Sequence, residues 1–182
     1  YIGKNAEAAK IFRHYLYNGK NIMDEYQHNQ MRVNLIYCYL RINKLDSASI
    51  LIKEGKNSPF IDKNEYSVGQ YSYFSGDYNV KQKNYKTAIT ELSKAYQYFT
   101  SVNDTNANYA LFSLGKAYDG LNNKEKAVEQ FIKLDANIQK TNKTYPELRE
   151  AYDYLINYYK EHDDKEKQLY YIDRFLKVNK KL

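Results

Sequence analysis

The chain has 182 residues, a length that fits one compact domain or one short solenoid. Its 43% hydrophobic and 27% charged residues are ordinary for a soluble folded protein. The net charge is +6, but lysines are spread along the chain and alternate with acidic residues, which favours solvated helix faces over a nucleic-acid-binding surface. One cysteine excludes an intrachain disulfide, and no apolar run approaches the roughly 20 residues of a membrane-spanning helix.

Helix-breaking residues are rare, with 2 prolines and 7 glycines beside 22 tyrosines and no tryptophan. This composition predicts a mostly helical chain whose turns rely on Asn, Asp and Lys. Apolar periodicity and turn residues predict nine helices in chain order. These helices are expected at residues 5–17, 24–42, 46–54, 64–82, 85–102, 105–121, 124–141, 146–161 and 165–179.

Two helix starts carry a capping-box pattern, in which a capping side chain and the residue three positions later bond each other's backbone amides. Asp24 with Gln27 forms the first pattern, and Thr144 with Glu147 forms the second. Pro146 would then lie in the first turn of its helix, where its missing amide hydrogen costs nothing.

A repeat of about 40 residues emerges when the chain is compared with itself. The turn-and-helix segments "GKNAEAAKIF", "INKLDSASILI", "KQKNYKTAITEL" and "LNNKEKAVEQF" each carry an alanine followed by an apolar residue. These alanines lie 40, 40 and 39 residues apart, and Gln168 follows 41 residues after the last of them. The alanines are Ala8, Ala48, Ala88 and Ala127.

The preceding helix of each unit also repeats, and in two units it contains a glycine within its apolar stripe. Gly115 lies on one predicted face with Leu114, Tyr118 and Leu121, and Gly76 occupies the matching position one repeat earlier. Glycine is a poor helix residue. We therefore expect it to mark a place where a neighbouring helix passes close to the backbone.

These positions resemble the tetratricopeptide repeat (TPR) family. The segment Leu114-Gly115-Lys116-Ala117-Tyr118, followed by Ala127 and Phe131, carries the family's small and aromatic packing positions. The usual TPR has 34 residues, so each unit here is about six residues longer. The resemblance implies an all-α, right-handed superhelix of about four and a half helix pairs. Its implied packing residues are Ala8, Ala48, Gly76, Ala88, Gly115, Tyr118, Ala127 and Phe131.

The domain organisation expected from this pattern is a single TPR-like domain over residues 1–182. Residues 1–4 read as the turn of a repeat, and the last helix keeps an apolar stripe without a polar end. Because a repeat buries its apolar face against neighbours, we expect the chain to be a fragment of a longer protein. The predicted repeats span residues 1–19, 24–55, 64–102, 105–141 and 146–182.

No residue constellation predicts catalysis, a metal site or a cofactor. His14, His28 and His162 are far apart in sequence, without a second ligand at metal-binding spacing. Cys38 lies among aromatic residues in "IYCYL", where a buried structural thiol is expected. Phosphate-binding, dinucleotide-binding and nucleophile-elbow motifs are also missing from the sequence. We expect a non-enzymatic protein.

The TPR resemblance implies a concave groove, lined by the first helix of each pair, that binds a protein or peptide partner. Tyrosine suits such a surface because it combines a large apolar body with a polar tip, although many of the tyrosines are expected to fill the core instead. The groove residues implied by the resemblance are Asn34, Tyr37, Arg41, Tyr73, Asp77, Tyr109, Phe112, Lys116, Asp153, Asn157 and Lys160.

The Tyr-, Asn-, Lys- and Ile-rich style and the final helices resemble the repeat region of membrane-anchored bacterial transcription regulators with an AraC-type helix-turn-helix domain. This resemblance implies a sensory module on the periplasmic face of the inner membrane, rather than in the cytoplasm, attached through a flanking segment outside this sequence. This fragment itself would not contact nucleic acid. The alternatives are a soluble TPR adaptor or assembly factor, and the sensor region of a histidine kinase.

Overall fold

In a computed structural model, which describes residues 2–19 and 21–180, the chain is built from helices joined by turns. Within these ranges it forms nine α-helices and no strand, which confirms the predicted all-α class. A short 3₁₀ helix, Ile61–Lys63, lies between α3 and α4. The helices are α1 (Ile2–Asn18), α2 (Glu25–Arg41), α3 (Leu45–Lys56), α4 (Glu65–Lys81), α5 (Tyr85–Ser101), α6 (Ala107–Gly120), α7 (Lys124–Thr141), α8 (Leu148–Glu161) and α9 (Lys165–Asn179).

Each helix packs against the next one along the chain, which gives four helix pairs preceded by α1. The pairs are α2 with α3, α4 with α5, α6 with α7, and α8 with α9. Helix α2 also contacts α4, and α4 contacts α6. The first helices of successive pairs therefore form one layer, which we call the inner layer.

The turn within each pair has the same geometry in all four pairs. One residue, at Asn43, Lys83, Asn122 or Asp163, adopts a left-handed conformation with φ between 54° and 61°. The next amide then donates to the carbonyl five residues back, as from Asn123 to Tyr118 at 2.9 Å. This bond belongs to the Schellman motif that ends many helices. These turns recur at the spacing of the alanine repeat. The chain therefore reverses its direction in the same way in every pair.

Small residues let the paired helices approach closely. Ala48, Ala88 and Ala127 are fully buried. A Cβ added at Gly115 would lie 2.5 Å from the ring of Phe131, and one added at Gly76 would collide with the side chain of Leu92. The glycines thus leave the space that these side chains of the second helix occupy.

The first alanine of the repeat differs from the others. Ala8 is only partly buried, whereas its neighbour Ala9 is 5% exposed. Helix α1 packs mainly on α2, so its surface is covered from one direction. The repeated alanine is therefore fully buried only in helices that belong to a pair, which are α3, α5 and α7.

Two predicted helix starts are wrong, and one is confirmed. Helix α1 already begins at Ile2, so residues 2–4 do not form the predicted turn, and Tyr1 lies outside the described residues. The capping box at Asp24 is present, with both reciprocal bonds to Gln27. The second capping box does not form, because α8 begins only at Leu148 and its preceding residue, Glu147, makes no side-chain cap. Its carboxylate pairs with an arginine elsewhere in the chain instead.

Candidate partner-binding groove

An ion pair joins the end of the first helix of the inner layer to the segment that precedes its last helix. Arg41 ends α2, and Glu147 immediately precedes α8, with two helix pairs between them. Arg41 Nη2 nevertheless lies 2.6 Å from Glu147 Oε1. This ion pair, which we call the cross-groove pair, lies near Tyr73 of α4 and Tyr109 of α6. The side chains are 25% and 18% exposed, so the pair is partly shielded from water.

A line of four tyrosines crosses the same surface. Tyr37, Tyr73, Tyr109 and Tyr145 are each 36 residues apart, whereas the structural repeat is 39 to 41 residues long. Each tyrosine consequently lies about one helical turn nearer the start of its helix than the one before, and Tyr145 precedes α8. Ring centroids are 6.4 Å apart for Tyr73 and Tyr109, and 4.8 Å apart for Tyr109 and Tyr145. We call this line the tyrosine diagonal.

The cross-groove pair lies against the start of the tyrosine diagonal. The guanidinium carbon of Arg41 is 5.0 Å from the ring centroid of Tyr37, within the range of a cation–π interaction. Burial alone would lower the pKa of Arg41, but the nearby Tyr73 and Glu147 outweigh this effect and raise the pKa. Arg41 therefore stays charged at every physiological pH.

A cavity of about 250 Å³ opens between the tyrosines of the inner layer. Two amides, Gln70 and Asn106, provide its polar edge, and the Oε1 atom of Gln70 is buried with no hydrogen-bond partner among the described residues. A donor brought by a ligand would satisfy this oxygen. The aromatic walls of the cavity are formed by Tyr37, Tyr73, Phe74, Phe99 and Tyr109.

Tyr73 and Tyr109 of the groove remain neutral at physiological pH. Burial raises the pKa of Tyr73, and the nearby carboxylate of Asp77 raises it further. Burial also raises the pKa of Tyr109, with Glu147 as the next cause. Their hydroxyl groups therefore keep their protons and can donate hydrogen bonds to a partner.

The structure brings one cluster of predicted groove residues together around Arg41. Tyr37, Tyr73 and Asp77 are all close enough to Arg41 to affect its pKa, and Tyr109 lies on the same cavity as Tyr37 and Tyr73. Asp77 accepts a hydrogen bond from Ser113 at 3.1 Å. Five predicted residues therefore share one surface.

The remaining predicted residues of α2 and α6 have different environments. Asn34 is half-buried, one turn before Tyr37. Lys116 donates to Glu150 of α8 at 2.5 Å. Phe112 is only 9% exposed and packs against Phe131, so its side chain belongs largely to the core and not to an open groove surface.

The three predicted residues of α8 lie on its solvent-exposed surface. Asp153, Asn157 and Lys160 are exposed, and none of them lines the cavity of the tyrosine diagonal. The contact between α6 and α8 is made instead by neighbouring side chains, since Tyr154 donates to Asp119 at 2.8 Å. Asp153, Asn157 and Lys160 extend the candidate surface along α8 and lie outside the cluster around Arg41.

Six residues of the site did not appear among the predicted groove residues: Gln70, Phe74, Phe99, Asn106, Tyr145 and Glu147. Tyr145 could have been found, because it continues the 36-residue spacing of Tyr37, Tyr73 and Tyr109. The sequence pattern indicated that Glu147 was a helix-capping residue, and no sequence spacing relates it to Arg41. Gln70 has no local signal of a binding role.

Other candidate chemistry is limited in the described part of the chain. Cys38 is buried, and burial raises the pKa of its thiol, which makes it a poor nucleophile. Over residues 2–19 and 21–180, no group of three or more His, Cys, Asp or Glu side chains is arranged to hold a metal ion. Within the same ranges, no helix is long and apolar enough to cross a bilayer.

Comparisons with known proteins support the fold but not a specific family. No protein-family model and no curated protein sequence matches the chain. Among solved structures, it is similar to the nearly identical TPR-like repeats of a Podosopora anserina protein assigned as a kinesin light chain. That match has 12% sequence identity and a TM-score of 0.57, and it covers 100% of this chain and 97% of the other.

A variant of the same repeats that carries one substitution matches with a TM-score of 0.59 and 12% identity, over 99% of this chain and 96% of the other. The fold is that of a TPR-like repeat solenoid. TPR-like repeats generally mediate protein–protein interaction, and they are typically non-catalytic scaffolds. At this level of identity, the likeness concerns the architecture of the chain and leaves its partner to be identified.

Proposed function

We propose that this chain is a non-catalytic interaction module that binds a protein or peptide partner in its concave groove. The tyrosine diagonal carries this proposal. It places four aromatic side chains in one line beside a cavity, and Tyr37 is 39% exposed at that surface. Tyrosine is well suited to binding surfaces because it gives large contact area at low conformational cost. The candidate surface is extended by Asn34, Arg41, Asp77, Lys116, Asp153, Asn157 and Lys160.

Photo-crosslinking tests the proposed groove. Peptides selected for binding from a random displayed library are added to a chain that carries benzoylphenylalanine in place of Tyr37. We expect crosslinking at this position, and little at a matched position on an outer helix, Ile50 of α3, whose side chain is 56% exposed. Selected peptides that crosslink equally at both positions, or only at Ile50, would exclude the groove as the binding site.

We also propose that this module is the sensory region of a bacterial transcription regulator anchored in the inner membrane. Support comes from the Tyr-, Asn-, Lys- and Ile-rich composition and from the style of the final helices. Fractionation of source cells, followed by blotting for this domain, tests this context. We expect a band well above 21.6 kDa in the inner membrane. A soluble band near 21.6 kDa would instead indicate an adaptor or assembly factor.

A further inference from the structure

The segment that joins α7 to α8 lies across the inner layer in the manner of a bound peptide. Residues 142–147 are not helical. The ring of Tyr145 packs on Tyr109 of α6 at 4.8 Å, and the carboxylate of Glu147 pairs with Arg41 of α2. One short segment thus contacts two helices that belong to different pairs. The chain itself contributes an aromatic and an acidic side chain to the groove.

The segment of residues 142–147 is imperfectly bound in the groove. The hydroxyl group of Tyr145 is buried and has no hydrogen-bond partner within the described part of the chain, although water would satisfy it fully. Tyr145 and Glu147 also precede the first residue of α8, Leu148, which is a buried core residue. The two side chains can therefore leave the groove while Leu148 keeps α8 in place.

On the other side of this contact, Arg41 is held more firmly than Tyr145 and Glu147. Arg41 belongs to α2, and its guanidinium lies over the ring of Tyr37. The nearby acid Asp77 already accepts a hydrogen bond from Ser113, and Glu150 pairs with Lys116. A half-buried arginine that loses its partner is unfavourable. A carboxylate brought by the ligand would restore the ion pair that Arg41 loses when Glu147 leaves.

Resting on the proposed function, we propose that the groove recognises a peptide segment of a protein partner that forms a turn and has an aromatic residue two positions before a glutamate. The segment within this chain is itself a turn, since the amide of Leu148 donates to the carbonyl of Tyr145 at 3.1 Å. Tyr145 and Glu147 have this spacing and are the intramolecular stand-ins for that segment. Because Glu147 has peptide on both sides, the site already accommodates a side-chain carboxylate within a continuous chain. Binding of the partner displaces Tyr145 and Glu147, which opens the cross-groove pair.

The test uses a fluorescent peptide with the sequence of residues 142–148, NKTYPEL, and measures its binding by anisotropy. The intact chain competes with the peptide at high effective concentration, so we expect weak binding. The double variant Tyr145→Ser/Glu147→Gln vacates the site and should bind at least ten-fold more tightly. The single variant Glu147→Gln gives the same comparison if circular dichroism shows that the double variant loses helix.

Two controls identify the recognised group. The peptide with glutamine in place of its glutamate should bind the vacated chain at least ten-fold more weakly. Adding Arg41→Ala to the vacated chain should have a similar effect, whereas Lys94→Ala, which removes an exposed cation on the outer helix α5, should leave binding unchanged. Equal binding by the intact and vacated chains, or by the two peptides, would overturn the inference.

Failure of this inference can be told apart from failure of the proposed function. If library peptides crosslink at position 37 but bind independently of Arg41 and of a glutamate, the groove binds peptides and the inference about their sequence is wrong. If no selected peptide crosslinks at position 37, both are wrong.

Discussion

At the scale of single residues, the helix pairs depend on positions where a side chain is missing. Gly115 and Gly76 are inside helices, where glycine costs about 1 kcal/mol relative to alanine. Phe131 and Leu92 occupy the space that a Cβ would need. The cost in helix propensity is therefore offset by close packing of the paired helices.

Substitution of Gly115 by leucine should destabilise the protein by about 1–3 kcal/mol, because the added side chain overpacks the contact with Phe131. Thermal unfolding followed by circular dichroism at 222 nm measures the effect. Gly3→Leu is the matched control, since a Cβ added at Gly3 would meet no atom of another described helix within 4 Å. Equal melting temperatures for the two variants would mean that the close approach at Gly115 does not contribute to stability.

At the scale of secondary-structure elements, a buried polar network joins the last three helices. Asp135 of α7 is 4% exposed and accepts hydrogen bonds from Tyr152 of α8 and Arg174 of α9. Its second oxygen accepts from Gln139 at 2.8 Å. Burial would lower the pKa of Arg174, but the hydrogen bond and charge of Asp135 raise it, so the arginine stays charged. The network sets the position of α9 against two helices at once.

Asp135→Asn should lower the free energy of unfolding by about 3 kcal/mol, because it removes the charge that balances a largely buried arginine. Urea denaturation measures this change. Asp173→Asn on α9 is the control, since the Asp173–Lys177 pair is more than half exposed and such pairs contribute at most about 1 kcal/mol. A loss no larger for Asp135→Asn than for Asp173→Asn would show that the network does not stabilise the contact between these helices.

At the scale of the whole molecule, phenol groups that are partly or fully buried are spread along the solenoid. Burial is the largest cause that raises the pKa of many tyrosines, and it raises the pKa of Tyr66, helped by Asp104, to about 12. The tyrosines with a raised pKa are Tyr39, Tyr66, Tyr71, Tyr73, Tyr109, Tyr152, Tyr154, Tyr159 and Tyr171. Because they are spread from α2 to α9, their ionisation is coupled to unfolding of the entire chain.

Stability should therefore fall above about pH 10. An unfolded tyrosine loses its proton near pH 10, whereas the folded chain keeps these protons until higher pH. The unfolded state then binds fewer protons than the folded state, so the contribution of these groups is complete below about pH 10 and is lost as the pH rises through the folded values. Absorbance at 295 nm and helix content should change together during alkaline titration. Ionisation of all 22 tyrosines near pH 10 with intact helices would contradict this expectation.

The curvature of the molecule is also a property of this scale. Each inner helix contacts its neighbours locally, yet the sum of these contacts brings Arg41 to Glu147 across two intervening helix pairs. Because of this curvature, the tyrosines that are 36 residues apart in the sequence form one line of rings. The candidate site therefore arises from the whole solenoid and not from any one repeat.

Much of the fold could be predicted from local signals, since helices and turns depend on nearby residues. The periodic apolar positions gave nine helices, and the Asp24–Gln27 pattern gave a true capping box. The second capping pattern failed because Glu147 forms an ion pair with a residue more than 100 positions earlier. Phe112 was assigned to the groove from its position in the repeat, whereas its ring packs on Phe131 in the core.

The sequence by itself determined the all-helical class, the repeat of about 40 residues and the positions of close packing, because each rests on helix periodicity and the size of single residues. It also indicated most of the central cluster, including Tyr37, Arg41 and Tyr73. Only the tertiary structure decided that Glu147 enters the groove and pairs with Arg41, and that the ring of Tyr145 packs on Tyr109. Those contacts depend on the curvature accumulated over four helix pairs, and no local pattern of residues encodes that sum.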